Sequence, residues 1–157
     1  MIAASLVASL AMFSTGPGQT GDPGQWRLSG HEGNFAVAYD VASIERSGSS
    51  VTVRSIFATG RSEMLPHGDE WYDYRISLNR FDCERRTGAQ LHVEYYSLEH
   101  EYSVFQNAVP SRTRPLTDGS LEGLVMQYAC GDIQPSHTLQ TGHSFTNVVR
   151  RNWRLLS

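Results

Sequence analysis

A chain of 157 residues, 39% of them apolar, carries enough hydrophobic material for one ordinary core, so one globular domain is expected rather than two. The formal net charge is −3, and all 13 basic residues are arginines. The pattern argues against a nucleic-acid reader, because Arg85, Arg86, Arg112 and Arg114 are interleaved with Asp82, Glu84 and Asp118 rather than gathered into a basic stripe.

Residues 2–13 are apolar or small except for Ser5 and Ser9, too short a run to span a bilayer and about the size of a signal h-region. Gly16, Pro17, Gly18, Gly21, Pro23 and Gly24 follow, so residues 1–25 read as a signal-like segment and flexible spacer, with the fold starting near Trp26. A buried N-terminal helix is the alternative. Export would put the chain in an oxidising compartment, where the even cysteine count of Cys83 and Cys130 favours a disulfide. Two separate buried thiols are the other option. Neither cysteine sits in a Cys-x-x-Cys pair, which argues against redox catalysis or a zinc knuckle.

Period-2 alternation then dominates. Phe35, Val37, Tyr39 and Val41 fall on one face of a strand, Ser47 to Ser50 supply a turn, and Val51, Val53 and Phe57 continue on a second strand, giving a hairpin. Pro66, His67 and Gly68 mark a longer connection over residues 61–70. Tyr72, Tyr74, Ile76 and Leu78 share one parity on a third strand, whereas Phe81 and Cys83 take the other, which predicts a bulge or bend near Asn79. Thr87 and Gly88 are expected to turn. Leu91, Val93 and Tyr95 alternate with His92, Glu94 and Tyr96 on a fourth strand, and residues 102–109 form a fifth.

Pro110 and Pro115 bound a break. Thr117, Asp118 and Ser120 are candidate N-caps for a helix whose apolar positions Leu121, Leu124, Val125, Tyr128 and Ala129 repeat with helical spacing, and Gly131 can stop it in the left-handed conformation. Gly123 is expected to weaken that helix by about 1 kcal/mol relative to alanine. Residues 133–157 read as a polar tail in which 148–156 can form a short basic helix around Trp153, with Arg150, Arg151 and Arg154, docked on its own domain or facing a partner. The expected fold is α+β: a single antiparallel β-sheet of about five or six strands packed against a C-terminal α-helix, within residues 26–132.

No glycine-rich phosphate loop or G-x-S-x-G elbow is present, so nucleotide and serine-hydrolase chemistry have no support. His92 and Glu94 share one face of a strand and, with His100, have the donor types of a metal site; a solvated polar strand face is the bland reading. Asp69, Glu70 and Asp73 likewise read as an acidic loop or as oxygen ligands. Among the aromatics of residues 71–102, Trp71 and Tyr96 are the candidates for exposure, the others suiting half-buried strands.

Tyr39-Asp40, then Ser43-Ile44-x-Arg46-x-Gly48, then Phe81-Asp82-Cys83, and Pro115 leading through Ser120 to a helix that closes at Cys130, together resemble the surface-adhesin protein E-like family of Gram-negative secreted proteins. The resemblance implies a small antiparallel sheet on a C-terminal helix, Cys83 bonded to Cys130, and a periplasmic or surface-exposed protein without known catalysis. Asp40, Ser43 and Ile44 would end the first strand and form the hairpin turn with Arg46 and Gly48. Arg112 and Arg114 stand where that family often has an aromatic residue, and residues beyond Cys130 form an added tail.

The functional expectation is a non-enzymatic exported envelope protein with an adhesin-like role, binding a protein or matrix ligand through a surface that includes Trp71, Tyr96, Arg112 and Arg114. A homodimer through an exposed strand edge is one form this can take. The alternative is a small periplasmic metal- or ligand-binding protein or enzyme using His92, Glu94 and His100. No cofactor, nucleic-acid partner or membrane span is expected.

Overall fold

In the computed structural model the chain forms β1 (Trp26–Glu32), β2 (Phe35–Asp40), β3 (Glu45–Ser47), β4 (Ser50–Met64), β5 (Trp71–Asp82), β6 (Thr87–Tyr96), β7 (Ser103–Asn107), β8 (Arg114–Pro115) and the helix α1 (Leu121–Cys130). The structure describes residues 26–32, 34–65, 68, 70–99, 103–107, 110–134, 145–147 and 149–151. Every pairing is antiparallel, in the order β1-β2-β4-β5-β6-β7, with β3 also against β4 and β8 also against β6.

Eight strands thus stand where five or six were expected, because two rows of the sheet are each made of two pieces. Strand β2 pairs with residues 55–59 of β4, and β3 pairs with residues 50–52 of the same strand. Between them the chain leaves the ladder in a single 3-10 turn, Val41–Ser43. Short oxygen-bearing side chains offer the backbone that alternative. The Asp40 carboxylate accepts from the Ala42 amide at 3.0 Å, while Ser43 Oγ donates to the Asp40 carbonyl and accepts from the Arg54 amide, both at 2.8 Å. The hairpin proper joins β3 to β4 around Gly48. Arg46 of β3 takes no part in the turn; its guanidinium donates to the carbonyls of Ala129 and Cys130 at the end of α1.

The irregularity expected near Asn79 is there: the register steps from Leu78↔His92 to Asn79↔Gln90. The extra residue is Leu91 on β6, not a residue of β5. Thr87 and Gly88, expected in a turn, are paired strand residues; the connection lies earlier, where Asp82 Oδ1 accepts from the amides of Glu84 and Arg85.

Both faces of the central strands are buried. On one, Val37, Tyr39, Val51, Val53, Phe57 and Phe81 pack with Val125, Met126 and Ala129 of α1. On the other, Trp26, Ala36, Ala38, Ile56, Ala58, Tyr74 and Ile76 pack with Phe145 and Val149, from helical residues 145–147 and 149–151. Those two side chains, each under 5% exposed, contribute about 1.5–3 kcal/mol apiece by area. Arg150, beside Val149, is paired with the buried carboxylate of Asp73. Asp73 also accepts from Ser62 Oγ at 2.7 Å and from the Leu98 amide, so one carboxylate ties β4, the end of β6 and the C-terminal residues to β5. Trp153 and Arg154 lie outside the described residues.

The helix is capped as its sequence predicts. Ser120 Oγ accepts from the Gly123 amide at 3.1 Å, and Gly131 takes φ 88° at the other end. Cys83 and Cys130 are bonded, with Cα atoms 5.7 Å apart across a separation of 47 residues. In the chain-entropy description that closure contributes about 4 kcal/mol. Gly123 is required rather than tolerated: a Cβ there would run into the carbonyl oxygen of Thr117.

Candidate functional site

Helix α1 covers only part of its face of the sheet. Starting from Phe57 in the cluster under α1, the register sets Phe57 beside Arg75, Arg75 beside Tyr95 and Tyr95 beside Phe105, a row crossing β4, β5, β6 and β7. The Arg75 guanidinium lies 4.5 Å from the Phe57 ring centre. Tyr95 meets Tyr72 edge-on at 4.9 Å and Phe105 at 5.9 Å. In this shelf Phe57 and Tyr95 are buried and Arg75 is half-buried, while Phe105 at the outer end of the row is 39% exposed and Phe35, opposite Thr59 on β2, is 38% exposed. Phe35, Phe57, Thr59, Tyr72 and Arg75 line a cleft of about 240 Å³. Burial pushes the Tyr72 phenol up; the Arg75 charge opposes the shift, and Tyr95 and Glu63 add to it.

Arg114 belongs elsewhere. It pairs with Glu122 of α1, and both line a smaller cleft of about 150 Å³ with Asn79, Gln90 and Ser111. Arg112 is exposed on the same connection. Trp71 is 58% exposed and opposite Met64 across β4 and β5.

Tyr96 points to the other face, packed on the cluster of Tyr74 and Ile76, with its ring stacked on Tyr74 at 4.9 Å. Its hydroxyl donates to Glu94 Oε2, and His92 Nε2 lies 3.0 Å from Glu94 Oε1. Burial by itself would raise the Glu94 carboxyl, but the hydrogen bonds of Tyr96 and His92, with the charges of His92 and Arg54, outweigh it and hold the group below its ordinary value. Among the described residues no three of His, Cys, Asp and Glu are grouped to hold a metal ion. His100 and Asp69 lie outside those residues, Glu70 is exposed, and Asp73 is the tie described above.

The four residues picked from sequence as a binding surface are therefore not brought together. Arg114 is opposite Gly88 and Tyr96 is at the far end of the same strand, eight residues on and roughly 26 Å away, facing the other side. Phe35, Phe57, Arg75 and Phe105 carry no local sequence signal that marks them as one surface. Tyr95 stands in sequence as one of a run of aromatics; its neighbours come from other strands, and the signal that assembles them is register.

A family profile described as surface-adhesin protein E matches residues 26–131. The chain belongs to the surface-adhesin protein E family. The family description, a surface adhesin, places the chain among exported or cell-surface proteins. No curated protein matches the chain. Among solved structures, crystal form II of Haemophilus influenzae protein E is similar, at 14% identity over 74% of this chain and 94% of that one, with a TM-score of 0.50. A second structure of Haemophilus influenzae protein E gives 15% identity over 74% and 91%, with a TM-score of 0.49. At such identity the likeness speaks to the fold alone.

Within this adhesin fold the residues that carried the resemblance are structural. Tyr39 stacks on Tyr128 of α1 at 5.3 Å, Asp40 holds the 3-10 turn, Arg46 binds the helix end, and Cys83 is bonded to Cys130. The match stops at residue 131, so the residues at 145–151 that cover the second face lie beyond it. No helix among the described residues is long and apolar enough to cross a membrane.

Proposed function

We propose that this family member is a non-enzymatic exported envelope protein that binds another macromolecule in an adhesin-like way, through the shelf of Phe57, Arg75, Tyr95 and Phe105. Residues 1–25 serve as export signal and spacer. The observation that carries the reading is a row of aromatic rings and one arginine that starts at buried Phe57, beside α1, and opens at its outer end on exposed Phe105. Aromatic residues and arginine are the side chains that most often anchor protein interfaces, the rings by burying large areas and arginine by its flat, many-donor guanidinium. Exposed Trp71 and Met64 offer further apolar contact area at the far end of β5.

A metal- or ligand-binding site on His92, Glu94 and His100 has weaker support. Both oxygens of Glu94 are engaged inside the chain, one by Tyr96 and one by His92.

The test is capture of immobilised matrix and envelope proteins by the purified chain and by a Phe35→Ser, Phe105→Ser double variant, whose changes sit at the exposed rim. Loss of an anchor ring should weaken capture about tenfold or more. Capture undiminished in the double variant removes the shelf from the reading, and absence of any capture overturns the reading itself.

A further inference from the structure

Arg75 is the charged member of the shelf, and its surroundings differ from those of three other partly buried arginines. Arg54 lies 3.6 Å from Asp40, Arg86 pairs with Asp118 and Asp132, and Arg150 pairs with Asp73. Among the described residues no carboxylate meets Arg75. It lies instead over the Phe57 ring, an arrangement that holds the flat guanidinium in place and leaves its N–H edge for an outside acceptor.

The rest of the cleft narrows what that acceptor belongs to. Three of its five lining residues are aromatic: Phe35, Phe57 and Tyr72. The Thr59 hydroxyl is buried, with its one proton directed to the backbone carbonyl oxygen of Arg61 or of Asp73. The Arg75 guanidinium and the Tyr72 phenol are then the polar groups it offers, too few for a sugar ring with a hydroxyl on nearly every carbon. About 240 Å³ is also below the roughly 300–1,000 Å³ of sites that enclose a whole small molecule, and suits one side chain with its neighbouring charge.

We infer that this cleft takes an acidic peptide segment: a carboxylate paired in two-pronged fashion with Arg75, and an adjoining aromatic or aliphatic side chain laid against Phe35, Phe57 and Tyr72. The inference rests on the shelf being the binding surface and names the chemistry the shelf selects.

The probe is N-acetylphenylalanine, compared with its uncharged amide and with acetate, titrated into the full chain with the disulfide intact while the backbone amides of Thr59, Tyr72 and Arg75 are followed by NMR. Saturable binding of the acid is expected, at least tenfold weaker for the amide and for acetate, and at least tenfold weaker for the acid in Arg75→Gln. Phe35→Ala, at the rim, should weaken acid and amide alike. Equal binding of acid and amide overturns the inference, as does acid binding unchanged in a folded Arg75→Gln variant. Stronger binding of a hyaluronate oligosaccharide than of an acidic peptide overturns it too. The acid–amide contrast on the unmodified chain needs no variant, so misfolding of Arg75→Gln does not shield the inference. If the acid binds as expected while no immobilised macromolecule is captured, the cleft stands and the macromolecule reading fails.

Discussion

The guanidinium of Arg46, on a three-residue strand, donates to the backbone carbonyl of Ala129, 83 residues later and in the last turn of α1. The last carbonyls of a helix have no partner within it, and a cation there also meets the negative end of the helix dipole. With the disulfide a few residues away, Arg46 makes a second, non-covalent tie between the sheet and the helix end.

Arg46→Ala should therefore lower stability by about 1 kcal/mol, less than a buried charged hydrogen-bond donor contributes because the residue is exposed. Urea denaturation should show a lower midpoint with an unchanged slope. An unaltered midpoint would mean that the disulfide alone holds the helix end.

Gly123→Ala separates helix propensity from packing. Propensity alone predicts a gain of about 1 kcal/mol. The carbonyl of Thr117 stands where the new methyl would go, so a net loss of about 1–3 kcal/mol is expected, read as a lower melting temperature.

The C-terminal tie makes an asymmetric pair of predictions. Asp73→Ala strands Arg150, Ser62 Oγ and the Leu98 amide together and should cost about 3 kcal/mol. Arg150→Ala leaves Asp73 its other two donors, and about 1 kcal/mol is expected. Hydrogen exchange at Phe145 and Val149 should accelerate in both variants, since their burial depends on that anchor.

Glu94 gives the pH dependence. Its carboxyl is depressed in the folded chain, so the stability it contributes is present in full above its ordinary value of 4.5 and is lost as pH falls below that through the lower folded value. The stability gap between the parent and Glu94→Gln should accordingly close as pH is lowered past 4.5, measured by denaturation at a series of pH values. A gap that widened on acidification would contradict the assignment of Tyr96 and His92 as its stabilising partners.

Much of the architecture was legible along the chain. Alternation at Phe35 to Tyr39 and at Tyr74 to Leu78, the Ser120 and Gly131 caps around a helical repeat, and the parity break near Asn79 are local signals, each set by the geometry of a strand or a helix turn. Tyr72, expected on the face of Tyr74, packs instead on Tyr95 on the opposite face, where the register of β4 and β5 shifts. Strand β1 was not, because its pairing with β2 slips between Leu28 and Gly30 and spoils the alternation. Strands β3 and β8, three and two residues long, are too short to carry a period.

The shelf as an assembly was not legible, although Phe57 and Tyr95 each fall on a strand that the alternation marks. Phe57, Arg75, Tyr95 and Phe105 lie on four strands, and nothing near any one of them in the sequence marks it as the neighbour of the next. Local patterning specifies which residues extend and which coil, because those preferences arise within a few residues. Which side chains meet across a sheet depends on where each turn closes and on the extra residue at Leu91, and a one-residue slip would turn every ring of a strand to the opposite face.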